Sequence, residues 1–356
     1  MRHRPFLDSG FRRNDDAPAR SKPLKHRYNS TLFRFTETPF PLMLVLRGFS
    51  RSAPRSTALT IGNFDGVHLG HRALLARLRV VAAEEQLLPA ALTFEPHPRE
   101  FFAPESAPAR LSTLREKLEM LSEEGVALTS VCHFNARFAA LSATDFIEKI
   151  LIGSLKVGHL IIGDDFHFGA RRAGNFAMLC AAGEQYGFRV ERMDSVLVAG
   201  ERASSSAVRA ALAAGEMEHA ARLLGRPYSI DGRVVHGDKV GRRLGFATAN
   251  IRIKHDNPPL TGVFAVEVHG LADGPHQGVA NLGIRPSANR GDCPLLEVHL
   301  FDFNADIYGA HLNVRFVHKL RNERHFPNFE ALKVQITQDV CNVKEFFHHR
   351  DAEAQR

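Results

Sequence analysis

At 356 residues and 44% apolar content, the chain has enough material for two globular domains, and no run approaches the ~18 uninterrupted apolar residues of a membrane span. Its four cysteines (Cys132, Cys180, Cys293, Cys341) are widely spaced, which excludes a disulfide framework and a Cys-x-x-Cys zinc site and points to reduced thiols in a cytoplasmic protein. The net charge of +7 does not indicate nucleic acid, because residues 1–42 hold nine Lys/Arg against four Asp/Glu and leave the rest close to neutral.

Residues 1–42 show no sustained apolar period and no signal-peptide core. They are expected to be disordered or foreign to the native protein, with Met43 as the natural start. Residues 43–49 read as an edge strand. From 57 to 190, short apolar runs alternate with helical patterns. Strands are expected at 58–61, 90–94, 131–134 and 159–162, and helices at 114–121, 145–151 and 176–186. A further helix, with Leu74, Leu75, Leu78 and Val81 on one face, should follow His71. The alternation predicts a parallel α/β sheet covered on both faces, with its ligand at the carboxyl ends of the strands. Two short helices at 204–212 and 216–224 lead to Gly225-Arg226-Pro227, the expected boundary between domains 43–225 and 226–350. Beyond it, β-type runs at 229–236, 263–269, 278–281, 296–301 and 313–320 follow one another without helices, as in a small antiparallel barrel. Phe329, Leu332, Ile336 and Val340 form the apolar stripe of a closing helix.

Chemistry concentrates in a few stretches. Residues 60–71 read TIGNFDGVHLGH: an apolar run, a glycine-bearing turn and a helix start, where an α/β fold offers free N–H groups to a phosphate. His68 and His71 can face one site there as donors. Taken alone, they have about one chance in three of being an ordinary pair at a βα turn. Ser204-Ser205-Ser206 with Arg209 one turn later is a second place for phosphate oxygens, or simply a serine cap. TFEPHP (93–98) ends a strand. GDDFHFGARR (163–172) is a glycine-bounded turn whose aromatics suit a planar ring and whose arginines suit a phosphate. Residues 237–250 are glycine-rich but lack the Gly-Lys-Ser/Thr of a Walker loop. Glu297 lies on a strand whose alternation sends it to one face, by default the exposed one.

In this order, from about Met43 to Phe347, these stretches resemble the prokaryotic bifunctional riboflavin kinase/FAD synthetases. The resemblance implies a Rossmann-like HxGH nucleotidyltransferase domain that adenylylates FMN to FAD, followed by an antiparallel barrel that phosphorylates riboflavin to FMN. It implies His68 and His71 as catalytic residues, and Gly62, Asn63, Phe64, Asp65, Ser204, Ser205, Ser206 and Arg209 as contacts to ATP. Pro96, His97, Asp164, Asp165, Phe166 and Arg171 would bind flavin. In the barrel, Gly237, Gly241, Gly245, Thr248 and Asn250 would bind ATP, with Thr248 and Asn250 also ligands of Mg²⁺. Glu297 would be the general base for the ribityl 5′-hydroxyl.

Phe134-Asn135, 138–142, 278–286 and Lys319-Leu320-Arg321 also match family stretches. Ser206 stands where the family usually has Thr, and the hydroxyl remains. Ala247 replaces a proline, so the kinase loop is expected to be less pre-organised. Riboflavin, FMN, FAD and ATP are the expected partners, with Mg²⁺ as cofactor and neither nucleic acid nor membrane, in a monomer or weak homo-oligomer. Two other readings stand beside this one. An HxGH transferase could use another acceptor with the barrel as a sensor, against which Glu297 and Thr248 count. A non-enzymatic flavin or nucleic-acid binder is opposed by the intact histidine pair.

Overall fold

The computed structural model describes residues 31–32, 43–236, 246–254, 257–287 and 291–354. Most of the N-terminal tail, and Gly237, Gly241 and Gly245 of the expected kinase loop, lie outside the described residues.

β1 (Thr31–Leu32) pairs antiparallel with β2 (Leu44–Arg47), which pairs parallel with β5 (Leu128–His133) on its other side. The stretch expected at the edge is thus flanked on both sides. With β3 (Thr57–Ile61), β4 (Leu88–Glu95), β6 (Val157–Gly163) and β7 (Arg189–Met193), the sheet runs in the order β1-β2-β5-β4-β3-β6-β7, and all strands except β1 are parallel. Every residue of β3 is buried, because both faces of a parallel sheet are covered. Its alternating side chains feed two cores. Ala58 packs with Leu74, Leu75, Leu78 and Val81 of α1 (Leu69–Glu84), whereas Leu59 and Ile61 pack with Phe146, Ile150 and Leu179 on the opposite face.

The strand order reverses at β3, with β4 on one side and β6 on the other. This topological switch leaves a crevice at the carboxyl ends of β3 and β6, the ligand position of open α/β sheets. The expected helices form, with one change of winding. α2 (Pro98–Phe102) follows the TFEPHP stretch. α3 (Leu114–Glu123) starts at a reciprocal Thr113/Glu116 capping box. Residues expected as a helix at 145–151 instead continue from a short α-turn into a π-helix, Phe146–Ser154, in which the Leu155 N–H reaches back five residues to the Ile150 carbonyl at 2.8 Å. α4 (Phe176–Tyr186) ends on Gly187 in the left-handed region.

After the hairpin β8 (Leu197–Val198) and β9 (Glu201–Arg202) come α5 (Ser205–Ala214) and α6 (Met217–Leu224). The barrel then closes in the order β10-β11-β14-β13-β12-β15. Its strands are β10 (Tyr228–Val235), β11 (Ala249–Arg252), β12 (Gly262–His269), β13 (His276–Ser287), β14 (Gly291–Leu300) and β15 (His311–Arg321). β11 has no signal in the sequence; four residues are too few to show a period of two. Gly225 caps α6 in the left-handed region, yet packing does not pause there. Val208, Leu212, Leu223 and Leu224 of α5 and α6 share one apolar cluster with Tyr228, Phe264 and Phe316 of the barrel. The Glu116 carboxylate of α3 also accepts the Asp231 N–H at 2.9 Å.

The closing helix α7 (Phe329–Ala354) corrects the predicted stripe. Phe329 is exposed, and the buried face is carried by Asp339, Val343 and Phe347, with Val340 and Phe346 beside it. Only this later part meets the barrel surface at Val263, Ala265 and Val279. Asp339 belongs on that face because Arg321 donates to it from β15 at 2.6–2.9 Å. Cys132, Cys180 and Cys341 are free thiols, and no described helix is long and apolar enough to cross a membrane.

The Arg321–Asp339 pair is almost wholly removed from water. Removing one partner strands the other charge, so Asp339→Ala should lower stability by about 3–5 kcal/mol in urea unfolding.

Candidate functional site

The first site is built on the turn between β3 and α1. Phe64, Gly66 and Val67 all have positive φ there, at 48°, 79° and 38°. For a β-branched residue such as Val67 this is a strained conformation, of order 1–3 kcal/mol. The turn delivers His68 to the N-cap of α1 without a side-chain cap, which leaves the first N–H groups of a 16-residue helix to another acceptor. His68 and His71 stack with ring centroids 3.7 Å apart. Gly70 permits this approach: a Cβ there would lie 3.1 Å from both the His68 ring and the Ala203 carbonyl.

Both imidazoles are neutral at pH 7. Burial pulls His68 down to about 4, and burial, reinforced by His68 stacked beside it and by the Lys117 cation, pulls His71 well below the usual histidine value. The buried Nδ1 atoms of His68 and His71, with Asn63 Oδ1 and Thr60 Oγ1, have no hydrogen-bond partner among the described residues. Such groups at a helix N-terminus are built to meet a polar ligand.

Phe64 and Asp65, expected along ATP, are turned inward. Phe64 is fully buried against α1, its ring 5.2 Å from that of His71. The Asp65 carboxylate accepts from the Leu111 N–H (3.1 Å), the Ser112 N–H (3.0 Å) and the Ser112 hydroxyl (3.2 Å), and is paired with Arg209. Arg209, expected on phosphate, is therefore committed to Asp65 and to the Ala109 carbonyl. The serine run does reach the site. Ser204 caps α5 through the Ala207 N–H, Ser205 donates to the Asp65 carbonyl at 2.9 Å, and Ser206 is exposed.

The residues expected to contact flavin come from the loops after β4 and β6. His97 caps α2, its ring accepting from the Arg99 N–H, while burial lowers its pKa to about 4. Pro96 precedes it, half-buried. Across the crevice, Asp164 accepts from the Ser195 hydroxyl (2.9 Å), and Arg202 bridges Asp164 and Asp165 (3.3 and 3.1 Å). Phe166 stacks on Phe168, and Arg171 is exposed with φ +54°.

Three groups escaped the sequence reading. Arg110 joins Glu95 and Glu100, tying the end of β4 to α2. Lys117 is buried, its Nζ 3.5 Å from the Thr93 hydroxyl, and burial lowers its pKa while its charge acts on His71 and His97. Phe94, Phe101, Phe102 and Phe134 form a ring-to-ring cluster with Phe138, and Phe102 is 67% exposed. Phe94, Phe134 and Phe138 carried a signal, as parts of matched stretches, whereas Phe101 and Phe102 did not.

A second set of residues lies on the barrel wall. Leu296, Val298 and Leu300 of β14 fill the interior, so Glu297 and His299 point the other way. Glu297 is the register partner of Asn250 on β11 and of Asn281 on β13, which puts three polar side chains in one row across three strands. Asn281 donates to Glu323 at 3.2 Å, adding a second carboxylate that was not anticipated. His299 meets the Ala247 carbonyl at 2.8 Å, next to Thr248.

A FAD synthetase family model matches residues 50–207, and a riboflavin kinase model matches residues 224–347. The bifunctional riboflavin kinase/FMN adenylyltransferase of Haemophilus influenzae is 49% identical over 308 residues, covering 86% of this chain and all of the relative. Those of Escherichia coli K12 and Pseudomonas fluorescens are 47% and 48% identical over comparable lengths. The chain belongs to the bifunctional riboflavin kinase/FMN adenylyltransferases. It makes FMN from riboflavin and FAD from FMN. A solved Streptococcus pneumoniae structure described as a macrolide-efflux protein shares the fold, with a TM-score of 0.70 at 26% identity over 83% of this chain and 97% of that one.

The depressed histidines give this riboflavin kinase/FMN adenylyltransferase a defined acid response. Burial holds His68 and His97 down at about 4 in the folded protein, well below the usual histidine value of about 6.5. Between those values the unfolded chain binds protons that the native sites refuse, so stability is complete above about pH 6.5, falls as pH drops from there to about 4, and levels off below. Urea unfolding of the ligand-free enzyme across this window should show the decline, and His68→Gln should flatten it.

Proposed function

We propose that residues 43–225 carry out adenylyl transfer at the histidine pair, and that residues 226–350 carry out riboflavin phosphorylation on the outer wall of the barrel. The observation that carries the first assignment is the stacked pair of neutral imidazoles, each with a buried Nδ1 lacking a partner among the described residues, at the switch point and on the start of α1. ATP phosphates brought there gain the helix N–H groups and two imidazole donors. A phosphate oxygen of FMN attacks the α-phosphorus of ATP. The bond from that phosphorus to the α,β-bridging oxygen breaks, and pyrophosphate leaves with the electron pair. Neutral histidines suit this step, because their ring N–H groups donate to the developing oxyanions without first costing the apo site a buried cation.

Gly62, Asn63 and Ser204–Ser206 line the nucleotide side of the same crevice. Pro96, His97, Asp164, Asp165, Phe166 and Arg171 form the flavin side, with the open face of Phe102 and its neighbours offering a planar surface.

In the barrel, Glu297 takes the proton of the ribityl 5′-hydroxyl as its oxygen attacks the γ-phosphorus of ATP. Among the described residues no cluster of three or more His, Cys, Asp or Glu is disposed to hold a metal. The hydroxyl of Thr248 and the amide oxygen of Asn250, beside Glu297, are nevertheless the hard oxygen donors that suit Mg²⁺ when phosphates and water complete its shell. When bound, Mg²⁺ neutralises phosphate charge. The contact from His299 to the Ala247 carbonyl restrains the residue before Thr248, where this chain lacks the proline of the family pattern. We place the enzyme in the cytoplasm, as a monomer or weak homo-oligomer.

The test is chromatography of flavins after incubation with riboflavin, ATP and Mg²⁺. His71→Ala should accumulate FMN and lower FAD formation by about 10²-fold or more. Glu297→Ala should lose FMN formation by a similar factor, yet still convert added FMN to FAD. Loss of both activities in either folded variant would refute the division of labour.

A further inference from the structure

The positive-φ turn that presents His68 needs something to hold it, and much of that hold comes from the joint between the two units. Arg226 sits in the Gly225-Arg226-Pro227 link, two residues before β10 begins. Its guanidinium reaches back to the turn, where Nη2 donates to the Gly66 carbonyl at 2.7 Å and Nη1 to the Val67 carbonyl at 3.1 Å. These are the last two peptide carbonyls before His68. Gly66 and Val67 are also two of the three residues with positive φ.

Elsewhere the turn is held by the Ser112 hydroxyl, which accepts from the Gly66 N–H, and by Ser205, which donates to the Asp65 carbonyl. Among the described residues, only Arg226 grips the stretch directly before His68 through two adjacent bonds. Its fork also donates to the Leu224 carbonyl at 3.4 Å and faces the Met120 sulfur, and no described carboxylate lies within ion-pair distance of it. Guanidinium geometry is therefore matched here to a particular run of backbone and not to a counter-charge.

We propose that Arg226 is a positioning residue for adenylyl transfer, clamping the Gly66–Val67 carbonyls so that His68 is held in register with His71. Val67 has a conformation that its side chain disfavours, so without the clamp the turn relaxes toward ordinary φ and displaces the residue that follows. Small displacements of a positioned group act mainly on the chemical step. The partly buried cation also adds to the positive field that keeps His68 neutral before nucleotide arrives. The kinase residues lie on other strands of the barrel, Glu297 on β14 and Asn250 on β11, and do not depend on this turn.

The proposal rests on the assignment of His68 and His71 to adenylyl transfer, and the experiment separates the two. In the full-length enzyme, Arg226→Met keeps the bulk of the stem and removes every donor. The expected result is a kcat for FAD formation from FMN lowered about tenfold or more, KM for FMN within about twofold, and riboflavin phosphorylation unchanged in the same preparation. An unchanged kcat for FAD formation overturns the proposal, as does an equal loss of both activities, which would make Arg226 a general structural support. Should Arg226→Met fail to accumulate as folded protein, Arg226→Lys is read in the same two assays. It keeps the charge but serves one carbonyl at a time, so an intermediate kcat supports the clamp and a wild-type kcat overturns it. His71→Ala is the control: if it leaves FAD formation intact, the assignment of the histidine pair has failed, whatever Arg226 does.

Discussion

A buried carboxylate beneath the first site organises its surroundings. Asp65, only 4% exposed, would be costly to bury alone. It is satisfied by the backbone of Leu111 and Ser112, by the Ser112 hydroxyl and by Arg209. Those partners come from the segment leading into α3 and from α5, so one charge gathers two distant parts of the chain around the turn that carries His68. The same arrangement determines what is left for a ligand. Arg209 and Asp65 neutralise each other, and the groups still seeking partners are the imidazoles, Asn63 and the start of α1.

Electrostatic preparation at this site relies on neutrality. Lys117, Arg202, Arg209 and Arg226 all act on one or both histidines of the motif, and with burial they keep the imidazoles uncharged. Lys117 is buried with, among the described residues, only the Thr93 hydroxyl at 3.5 Å to meet it, so an anion drawn to the site would offset the cost of its burial. Binding of the substrate and stabilisation of the ligand-free fold thus draw on the same charges from opposite directions.

The barrel solves a different problem. Its interior is apolar and closed, which removes free sheet edges and leaves chemistry to the outward-facing residues. Asn250, Glu297 and Asn281 become one row only through register, since they are 47 and 16 residues away from Glu297 in sequence but direct neighbours across strands. The continuous core running from α5 and α6 into the barrel joins this unit to the first, and Arg226 marks where the connection reaches the nucleotide turn.

Most strands and helices of the sheet, though not β1, β7 or α2, were legible in the sequence, as were the histidine motif and the sense of the barrel, because they rest on local periodicity and on glycine, serine and histidine at short fixed spacings. The four-residue β11 and the π-turn at Phe146–Ser154 were not, since neither leaves a periodic mark. The helix stripe of α7 was read in the right phase, but which end of it would be covered depended on where the barrel surface lay. The inward turn of Phe64 and Asp65 was hidden for a related reason: residues in a ligand motif look alike whether they touch the ligand or hold the loop beneath it. By itself the sequence determined the residue types and local spacings able to support phosphate chemistry, since those act within a turn or two of chain. Only the tertiary structure decided which charges cancel one another, which polar atoms remain unpaired and which distant residues share a row, because burial and register depend on segments that meet only after folding.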